Sequence, residues 1–469
     1  TCSGEPSPTA SSQMLIENDT PNIMVLGAQL TNPYTVMHNM AIALKNKGYH
    51  VTGTDDEIFE PAKSRLAKQG LLPQTIGWNT NLITADLDAI ILGMHARKDN
   101  PELVKAQEMG LKIYSFPEYM YEQTRSKKRV VVGGSHGKTT TTAMMLHVLK
   151  FYNRKFDYLV GSQLEGFDTM VGLNDESDIA VFEGDEYLTS PIDLRPKFHV
   201  YHTDIGIVTG IAWDHINVFP TFEGYVEQFA IFMRQIPATG KLICFDEDEH
   251  IRSITSKEKL AAEVKWYNAP EWKVANGLTS IKTNEGWVEL NIFGKHNLQN
   301  MQAARLALNE LGISDADFYK AIASFKGTAR RLELVAKNEH SVVYRDFAHS
   351  PSKVTATVEA VKDQFPERKL VAVFELHTFS SLNKKFLSEY KGALDKADVR
   401  IVYFNPHTIE KKKMEMLTED DIIENFGAGV IAYNSSAKLK ADLQQMNWGN
   451  SNLLLMSSGN FDNTDMNVL

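Results

Sequence analysis

The feature that most constrains this chain is a glycine-rich loop between an apolar run and a helical segment. Residues 130–142 read VVVGGSHGKTTTT, and the residues after them keep the apolar spacing of a helix. Such a loop points backbone N–H groups and the positive end of a helix dipole at an anion, which predicts a phosphate site. Lys138 adds a positive charge, and the Thr139 hydroxyl is placed to bind Mg²⁺. Because Val132 stands where the strict pattern has glycine, a simple strand-to-helix turn remains the alternative.

The length and composition predict several globular domains of ordinary type. The 469 residues are too many for one core and indicate about three domains. The chain is 43% hydrophobic and 23% charged, as is usual for globular proteins. A net charge of -10 with no basic stripe argues against a nucleic-acid partner. The one basic run, at 411–413, is expected on a solvated face.

Cysteine usage and the N-terminal residues bear on the compartment. Cys2 and Cys244 are too few for a disulfide framework or a metal knuckle, which predicts a reducing environment. No apolar stretch reaches the length that spans a bilayer. The first residues lack the basic and apolar regions of a signal peptide, and residues 1–21 are expected to form a flexible polar tail. We therefore expect a cytoplasmic protein with no membrane partner.

Apolar, strand-like runs alternate with helical segments from residue 23 onwards, which is typical of parallel α/β layers. The N-terminal unit opens like a Rossmann fold, with strands at 23–27 and 49–55 and an acid, Asp55, at the end of the second strand. Its first loop lacks the usual glycines, so nucleotide binding and a structural role both stay open there. We expect an N-terminal domain at 22–127, a central nucleotide-binding domain at 128–327 and a C-terminal domain at 328–469.

Acidic and imidazole side chains follow two strands of the central unit. Glu183, Asp185 and Glu186 come at the end of one strand, and Asp214 and His215 follow another. Oxygen ligands with one imidazole suit a hard cation that bridges phosphates. Alone, each group reads as a polar loop or helix cap. Beside a phosphate loop, the two groups together predict a Mg²⁺ site.

Two further positions carry polar groups at structurally special places. Asn297 lies at the start of an alanine-rich helix, where its side chain can cap the helix or contact a base. Arg330 and Arg331 lie at the junction of the second and third units. A guanidinium group at a domain junction can reach the charge of a phosphate in transfer, although surface arginines are common.

In combination these motifs resemble those of the Mur ligase family, the ATP-dependent amide-bond ligases of peptidoglycan assembly. The resemblance implies an α/β fold of three domains, in which Rossmann-like N- and C-terminal domains flank a central P-loop ATPase domain. It covers residues 23–460 and rests on six motifs in order: GSHGKTT at 134–140, EGDE at 183–186, DH at 214–215, GKHN at 294–297, RR at 330–331 and DFAHSP at 346–351.

Matching positions in the family imply roles for individual residues. Lys138, His215 and Arg331 would take part in catalysis, and Thr139, Glu183 and His215 would hold Mg²⁺. ATP would be bound by Gly134, Ser135, His136, Gly137, Lys138, Thr139, Thr140, Asn297, Arg331 and Asp346. The substrates would be bound by Asp55, His95 and Asn100 on the UDP-sugar side and by His349 and His377 on the acceptor side.

The resemblance also implies the substrates. The nucleotide-sugar would be UDP-N-acetylmuramate. The central motifs, EGDEY at 183–187 and DLRPKF at 193–198, favour members that attach the tripeptide L-alanyl-γ-D-glutamyl-meso-diaminopimelate during peptidoglycan recycling. The segment at 375–381 is more similar to members that attach L-alanine, so that acceptor is the alternative, and a non-catalytic UDP-sugar sensor is another. We expect a monomer or a weak homo-oligomer.

Overall fold

The computed structural model describes residues 20–27, 36–213 and 218–469. Residues 1–19 of the expected tail, residues 28–35, where the first loop is expected, and residues 214–217, which include His215, lie outside these ranges. Three α/β units follow one another along the chain, each built around its own parallel or mostly parallel sheet. None of the helices in the described ranges is long and apolar enough to cross a membrane.

The N-terminal unit is a four-stranded parallel sheet in the order β2-β1-β3-β4. Its central strands are buried along nearly their whole length because helices cover both faces. The strands are β1 Asn22–Leu26, β2 His50–Thr54, β3 Ala89–Leu92 and β4 Ile113–Ser115, and the helices are α1 Val36–Asn46, α2 Ala62–Lys68, α3 Pro101–Glu108 and α4 Phe116–Thr124.

The central unit contains a seven-stranded sheet in the order β13-β12-β11-β5-β8-β6-β7, parallel except at β7. Its strands are β5 Lys128–Gly133, β6 Asp157–Leu159, β7 Val171–Gly172, β8 Ile179–Glu183, β11 Ile205–Val208, β12 Lys241–Phe245 and β13 Glu263–Tyr267. Its helices are α5 Lys138–Phe151, α6 Phe222–Gln235, α7 Glu249–Lys257, α8 Lys295–Asn309 and α9 Asp315–Ile322.

Two small antiparallel sheets in the same unit were not expected from the sequence. Their strands are short and partly exposed, so they lack the long apolar runs of the main sheet. One sheet pairs β9 Leu188–Ser190 with β10 Asp193–Pro196, and the other contains β14 Trp272–Ala275, β15 Leu278–Thr283 and β16 Gly286–Leu290.

The C-terminal unit is a six-stranded sheet in the order β17-β18-β22-β19-β20-β21, with only β17 antiparallel. The strands are β17 Glu333–Lys337, β18 Val342–Asp346, β19 Lys369–Leu376, β20 Val399–Phe404, β21 Val430–Tyr433 and β22 Ser451–Met456. The helices are α10 Pro351–Gln364, α11 Pro406–Lys411, α12 Glu419–Phe426 and α13 Ser436–Gln445. The expected strands are thus present, and 22–127, 128–327 and 328–469 remain our proposed domain limits.

A buried side-chain amide joins the central and C-terminal units. Gln364, at the end of α10, accepts a hydrogen bond from the Thr279 hydroxyl (2.9 Å) and donates one to the Gly277 carbonyl oxygen (2.6 Å). Thr279 and Gln364 are both buried. Buried polar groups need such partners, so this contact ties the small sheet of the central unit to the C-terminal unit.

Candidate active site

A single cavity of about 1200 Å³ collects residues from all three units. Pockets for one small ligand usually measure about 300–1,000 Å³, so this cavity has room for more than one. Gly134, Asp55 and Asn100 are absent from its lining, and His215 lies outside the described residues. The sequence-predicted residues that line it are His95, Ser135, His136, Gly137, Lys138, Thr139, Thr140, Glu183, Asn297, Arg331, Asp346, His349 and His377.

The sheet register explains why the phosphate loop and Glu183 meet. Parallel strands end at the same edge of a sheet, and β5 lies between β8 and β11. Val132 is the register partner of Glu183, and Gly133 is that of Val208. The loop after β5 therefore begins beside the carboxylate that ends β8, at the edge where α/β sheets bind ligands.

Two glycines of the phosphate loop leave no room for a side chain. Gly134 has a φ of +134°, and a Cβ there would lie 2.0 Å from Thr209 Oγ1. Gly137, the residue before α5, has a φ of +82°, and a Cβ there would lie 2.3 Å from Asn300 Oδ1. The loop can therefore follow this path only with glycine at both positions.

Lys138 is paired with Glu186, a buried carboxylate that the sequence predicts only as part of a Mg²⁺ site. Its Nζ lies 2.8 Å from Glu186 Oε2 and donates to the Gly134 carbonyl oxygen at 2.5 Å. Glu186 is only 1% exposed. Burial alone would lower the pKa of Lys138, but the nearby carboxylates, Glu186 foremost, raise it above its usual value. The lysine is therefore held charged at the start of α5.

A chain of hydroxyl groups connects this ion pair to the phosphate loop. The backbone N–H of Ala212 donates to Ser135 Oγ at 2.9 Å, and Ser135 Oγ lies 2.8 Å from the Tyr225 hydroxyl. Tyr225 in turn donates to Glu186 Oε1 at 3.2 Å. All of the side chains in this chain are buried, so the network fixes the shape of the loop around Lys138.

Thr139 and Glu183 form the part of the predicted metal site that the structure describes. The Thr139 hydroxyl donates to Glu183 Oε1 at 2.9 Å, and the Gly161 N–H donates to Glu183 Oε2 at 2.6 Å. Burial is the main cause of the raised pKa of Glu183. Within the described ranges, no group of three or more His, Cys, Asp or Glu is arranged to hold a metal. The two oxygen donors facing the cavity nevertheless fit Mg²⁺ chemistry.

The residues expected to contact ATP beyond the phosphates lie on α8 and at the interdomain junction. Asn297 is buried, and its amide group donates to the Phe293 carbonyl oxygen at 2.9 Å. Asp346 accepts backbone N–H bonds from Leu332 (2.8 Å) and Ala348 (2.7 Å), so its carboxylate fixes the junction. The Arg331 guanidinium lies 4.7 Å from the centre of the Phe347 ring, at the cavity wall.

The C-terminal unit contributes a wall of cationic and imidazole groups. His349 and Lys353 follow β18, and His377 follows β19. His349 Nδ1 lies 2.8 Å from the Phe347 carbonyl oxygen. A Cβ on Gly459 would lie 2.5 Å from His377 Nδ1, so the loop after β22 packs directly against that ring. Burial, and then the charge of Lys412, lowers the pKa of His377 and favours the neutral imidazole.

The expectation that the basic run at 411–413 lies on a solvated face is wrong for its middle residue. Lys411 and Lys413 are exposed, whereas Lys412 is partly buried and lines the cavity. Its ammonium lies 4.2 Å from the centre of the Phe379 ring. Helix α11 ends at Lys411, and the turn that follows directs only the next side chain inward.

The three residues expected to bind the UDP-sugar are separated in the structure. His95 lines the cavity, and burial lowers its pKa, with Lys197 contributing. Asn100 is buried and caps α3, because its Oδ1 accepts the N–H of Glu102 at 2.8 Å. Asp55 lines a separate pocket of about 40 Å³ beside Gly27. The first loop, at 28–35, lies outside the described residues, so the substrate roles of these residues stay predictions.

Three contacts of this site are not predicted by the sequence. Glu186 is expected beside the phosphate loop as one of three acidic residues of a Mg²⁺ site, but its pairing with Lys138 is not predicted. No sequence pattern singles out Tyr225, whose hydroxyl joins Ser135 to Glu186. Asn300, beside Gly137, follows the GKHN motif by one turn of α8. Each makes its contact across 39 or more residues of chain, which no local pattern records.

Comparisons with known proteins agree with this geometry. Residues 132–308 match the Mur ligase middle domain, and residues 330–459 match the Mur ligase glutamate ligase domain. A UDP-N-acetylmuramate–L-alanine ligase of Caldicellulosiruptor bescii is 30% identical over 407 residues, which cover 82% of this chain and 85% of that one. The chain belongs to the Mur ligase family. The predicted family, three-domain fold and ATP-dependent ligase activity are thereby confirmed.

Relatives of the tripeptide-attaching type are also present. A Haemophilus influenzae UDP-N-acetylmuramate–L-alanyl-γ-D-glutamyl-meso-2,6-diaminoheptandioate ligase is 30% identical over 341 residues, covering 70% of this chain and 74% of its own. The crystal structure of a murein peptide ligase from Psychrobacter arcticus has a TM-score of 0.62 and 22% identity, and the match covers 94% of this chain and 97% of that one. The fold of this Mur ligase is therefore shared with a murein peptide ligase.

Proposed function

We propose that this Mur ligase joins UDP-N-acetylmuramate to the tripeptide L-alanyl-γ-D-glutamyl-meso-diaminopimelate at the expense of ATP, in peptidoglycan recycling. The proposal takes its substrates from the names of the tripeptide-attaching relatives. Both ATP and a UDP-sugar are cytoplasmic metabolites, which is the compartment we propose.

The observation that carries the proposal is the composition of the C-terminal cavity wall. His349, Lys353, His377 and Lys412 line the same cavity as the phosphate loop. The tripeptide carries several carboxylates that need donors, whereas L-alanine carries one. A wall with several cationic and imidazole groups suits the larger, more acidic acceptor.

The reaction has two steps. The carboxylate of the muramyl group attacks the γ-phosphorus of ATP, which forms an acyl phosphate and releases ADP. The acceptor amine then attacks the acyl carbon, and the amide forms as phosphate leaves and the amine loses a proton. Lys138 and Arg331 supply positive charge for the phosphoryl transfer, which depends mainly on positioning and charge stabilisation. We assign His377, whose neutral form is favoured by burial, as the group that accepts the amine proton.

A divalent cation fits the oxygen donors that the structure brings together. Thr139 and Glu183 would hold Mg²⁺, with His215 as the third expected ligand. When bound, Mg²⁺ neutralises phosphate charge. The Thr139–Glu183 hydrogen bond already places both oxygens at the cavity edge.

Two alternatives remain to be tested against this proposal. L-alanine as the acceptor is favoured by relatives that align over a larger share of their length, 85% against 74%. A UDP-sugar sensor is disfavoured, because a pure binder needs neither the paired Lys138 nor the Thr139–Glu183 arrangement at the phosphate loop.

Phosphate release measured with a panel of amines tests the proposed function. Release should require ATP, UDP-N-acetylmuramate and the tripeptide together. Transfer of ¹⁸O from the muramyl carboxylate to the released phosphate should accompany it, because the acyl phosphate retains that oxygen. Release supported by L-alanine but not by the tripeptide would refute the proposed acceptor.

A further inference from the structure

Lys412 is a cation in the cavity wall without an acidic neighbour. Among the residues that the structure describes, no carboxylate forms an ion pair with its ammonium, and burial alone acts on its pKa. Its contact is with the ring face of Phe379, at 4.2 Å. Burial lowers its pKa. A lysine held partly out of water without a counter-charge costs free energy, which an incoming anion would recover.

The position of Lys412 separates it from the ATP phosphates. The phosphate loop lies on the central unit, where Lys138 and the start of α5 face the cavity. Lys412 follows α11 of the C-terminal unit, beside His377 and Phe379 after β19. The anion that reaches Lys412 therefore comes from the acceptor side of the cavity.

We propose that the Lys412 ammonium binds a carboxylate of the acceptor peptide and so helps to determine acceptor specificity. The proposal rests on the proposed function, which supplies an acceptor with several carboxylates. The cation–π contact with Phe379 holds the ammonium at the cavity wall, so the charge is positioned before the acceptor arrives.

Replacing Lys412 by methionine keeps an unbranched stem of nearly the same length and removes the charge. Because a hydrogen bond to a charged group is lost, we expect Lys412→Met to raise the KM for the tripeptide by about 10- to 100-fold. The KM for ATP and that for UDP-N-acetylmuramate should change little. Lys411→Met, at the exposed neighbouring position, is the matched control, and Lys412→Arg should restore most of the acceptor affinity.

Tripeptides with one carboxylate converted to an amide identify the contact. Amidation of the carboxylate that Lys412 binds should raise the wild-type KM by a similar factor, and Lys412→Met should then add no further loss. With the other amides, Lys412→Met should still raise KM by its full factor. An equal effect of Lys412→Met on every amide would overturn the assignment, as would a rise in the KM for ATP alone.

The same experiments separate failure of this proposal from failure of the proposed function. A wild-type enzyme that uses L-alanine and not the tripeptide refutes the function, and Lys412→Met is then assayed with L-alanine. An unchanged KM for whichever amine is used overturns the role of Lys412. Near-identical melting temperatures of Lys412→Met and Lys411→Met would exclude a folding defect as the cause of a raised KM, whereas rescue by Lys412→Arg supports charge recognition even if melting differs.

Discussion

Replacing Lys138 by methionine should destabilise the protein as well as inactivate it. On sequence alone, loss of this lysine is expected to stop phosphoryl transfer and leave the fold intact. The structure adds the pairing of Lys138 Nζ with Glu186 at 2.8 Å, and Glu186 is 1% exposed. Removing one partner of a buried pair leaves the other charge uncompensated and costs about 3–5 kcal/mol. For a domain of this size, that corresponds to a fall in melting midpoint of about 6–20 °C.

A second variant distinguishes the charge effect from a packing effect. In Lys138→Met/Glu186→Gln both charges are gone, so the melting midpoint should recover toward that of the wild type while turnover stays lost. Scanning fluorimetry of the ligand-free proteins at pH 7 measures the midpoints, and phosphate release measures turnover. A Lys138→Met midpoint within about 1 °C of the wild type, or a double variant less stable than Lys138→Met, would refute the reasoning.

Two further predictions concern single carboxylates. Glu183→Gln should raise the Mg²⁺ concentration needed for half-maximal activity by about tenfold or more, and an unchanged Mg²⁺ titration would mean that Glu183 holds no metal. Burial raises the pKa of Asp55 to about 8, so the folded protein keeps a proton that the unfolded chain releases near pH 4. The wild-type melting midpoint should therefore fall more steeply from about pH 5 to pH 8 than that of Asp55→Asn, and parallel pH profiles would contradict this.

The sequence predicts best those parts of the site that are encoded locally. The phosphate loop is read from adjacent residues because a turn between a strand and a helix needs Gly134, Gly137, Lys138 and Thr139 in one short segment. The strand ends are likewise predicted, since apolar runs mark the buried strands and the polar residues that follow face the sheet edge. Glu183 is placed beside the loop by this logic and by the register of β5 and β8.

The contacts that the sequence leaves unpredicted are those that packing decides. The partner of Lys138 is 48 residues away, and three carboxylates near the strand end were equal candidates. Lys412 lies in a run of three lysines whose charge pattern predicts a solvated surface, and only the end of α11 directs one of them inward. The Asn100 side chain caps α3, whereas the family resemblance predicts that it binds substrate.

The measurement that tests the central claim most directly is a competition between acceptors. The enzyme is supplied with ATP, UDP-N-acetylmuramate and equal concentrations of tripeptide and L-alanine, and the two products are quantified by mass spectrometry. Their ratio equals the ratio of the two kcat/KM values. We predict at least about a hundredfold excess of the tripeptide product, on the order of 3 kcal/mol of differential transition-state binding. Equal products, or an excess of the L-alanine product, would contradict the account.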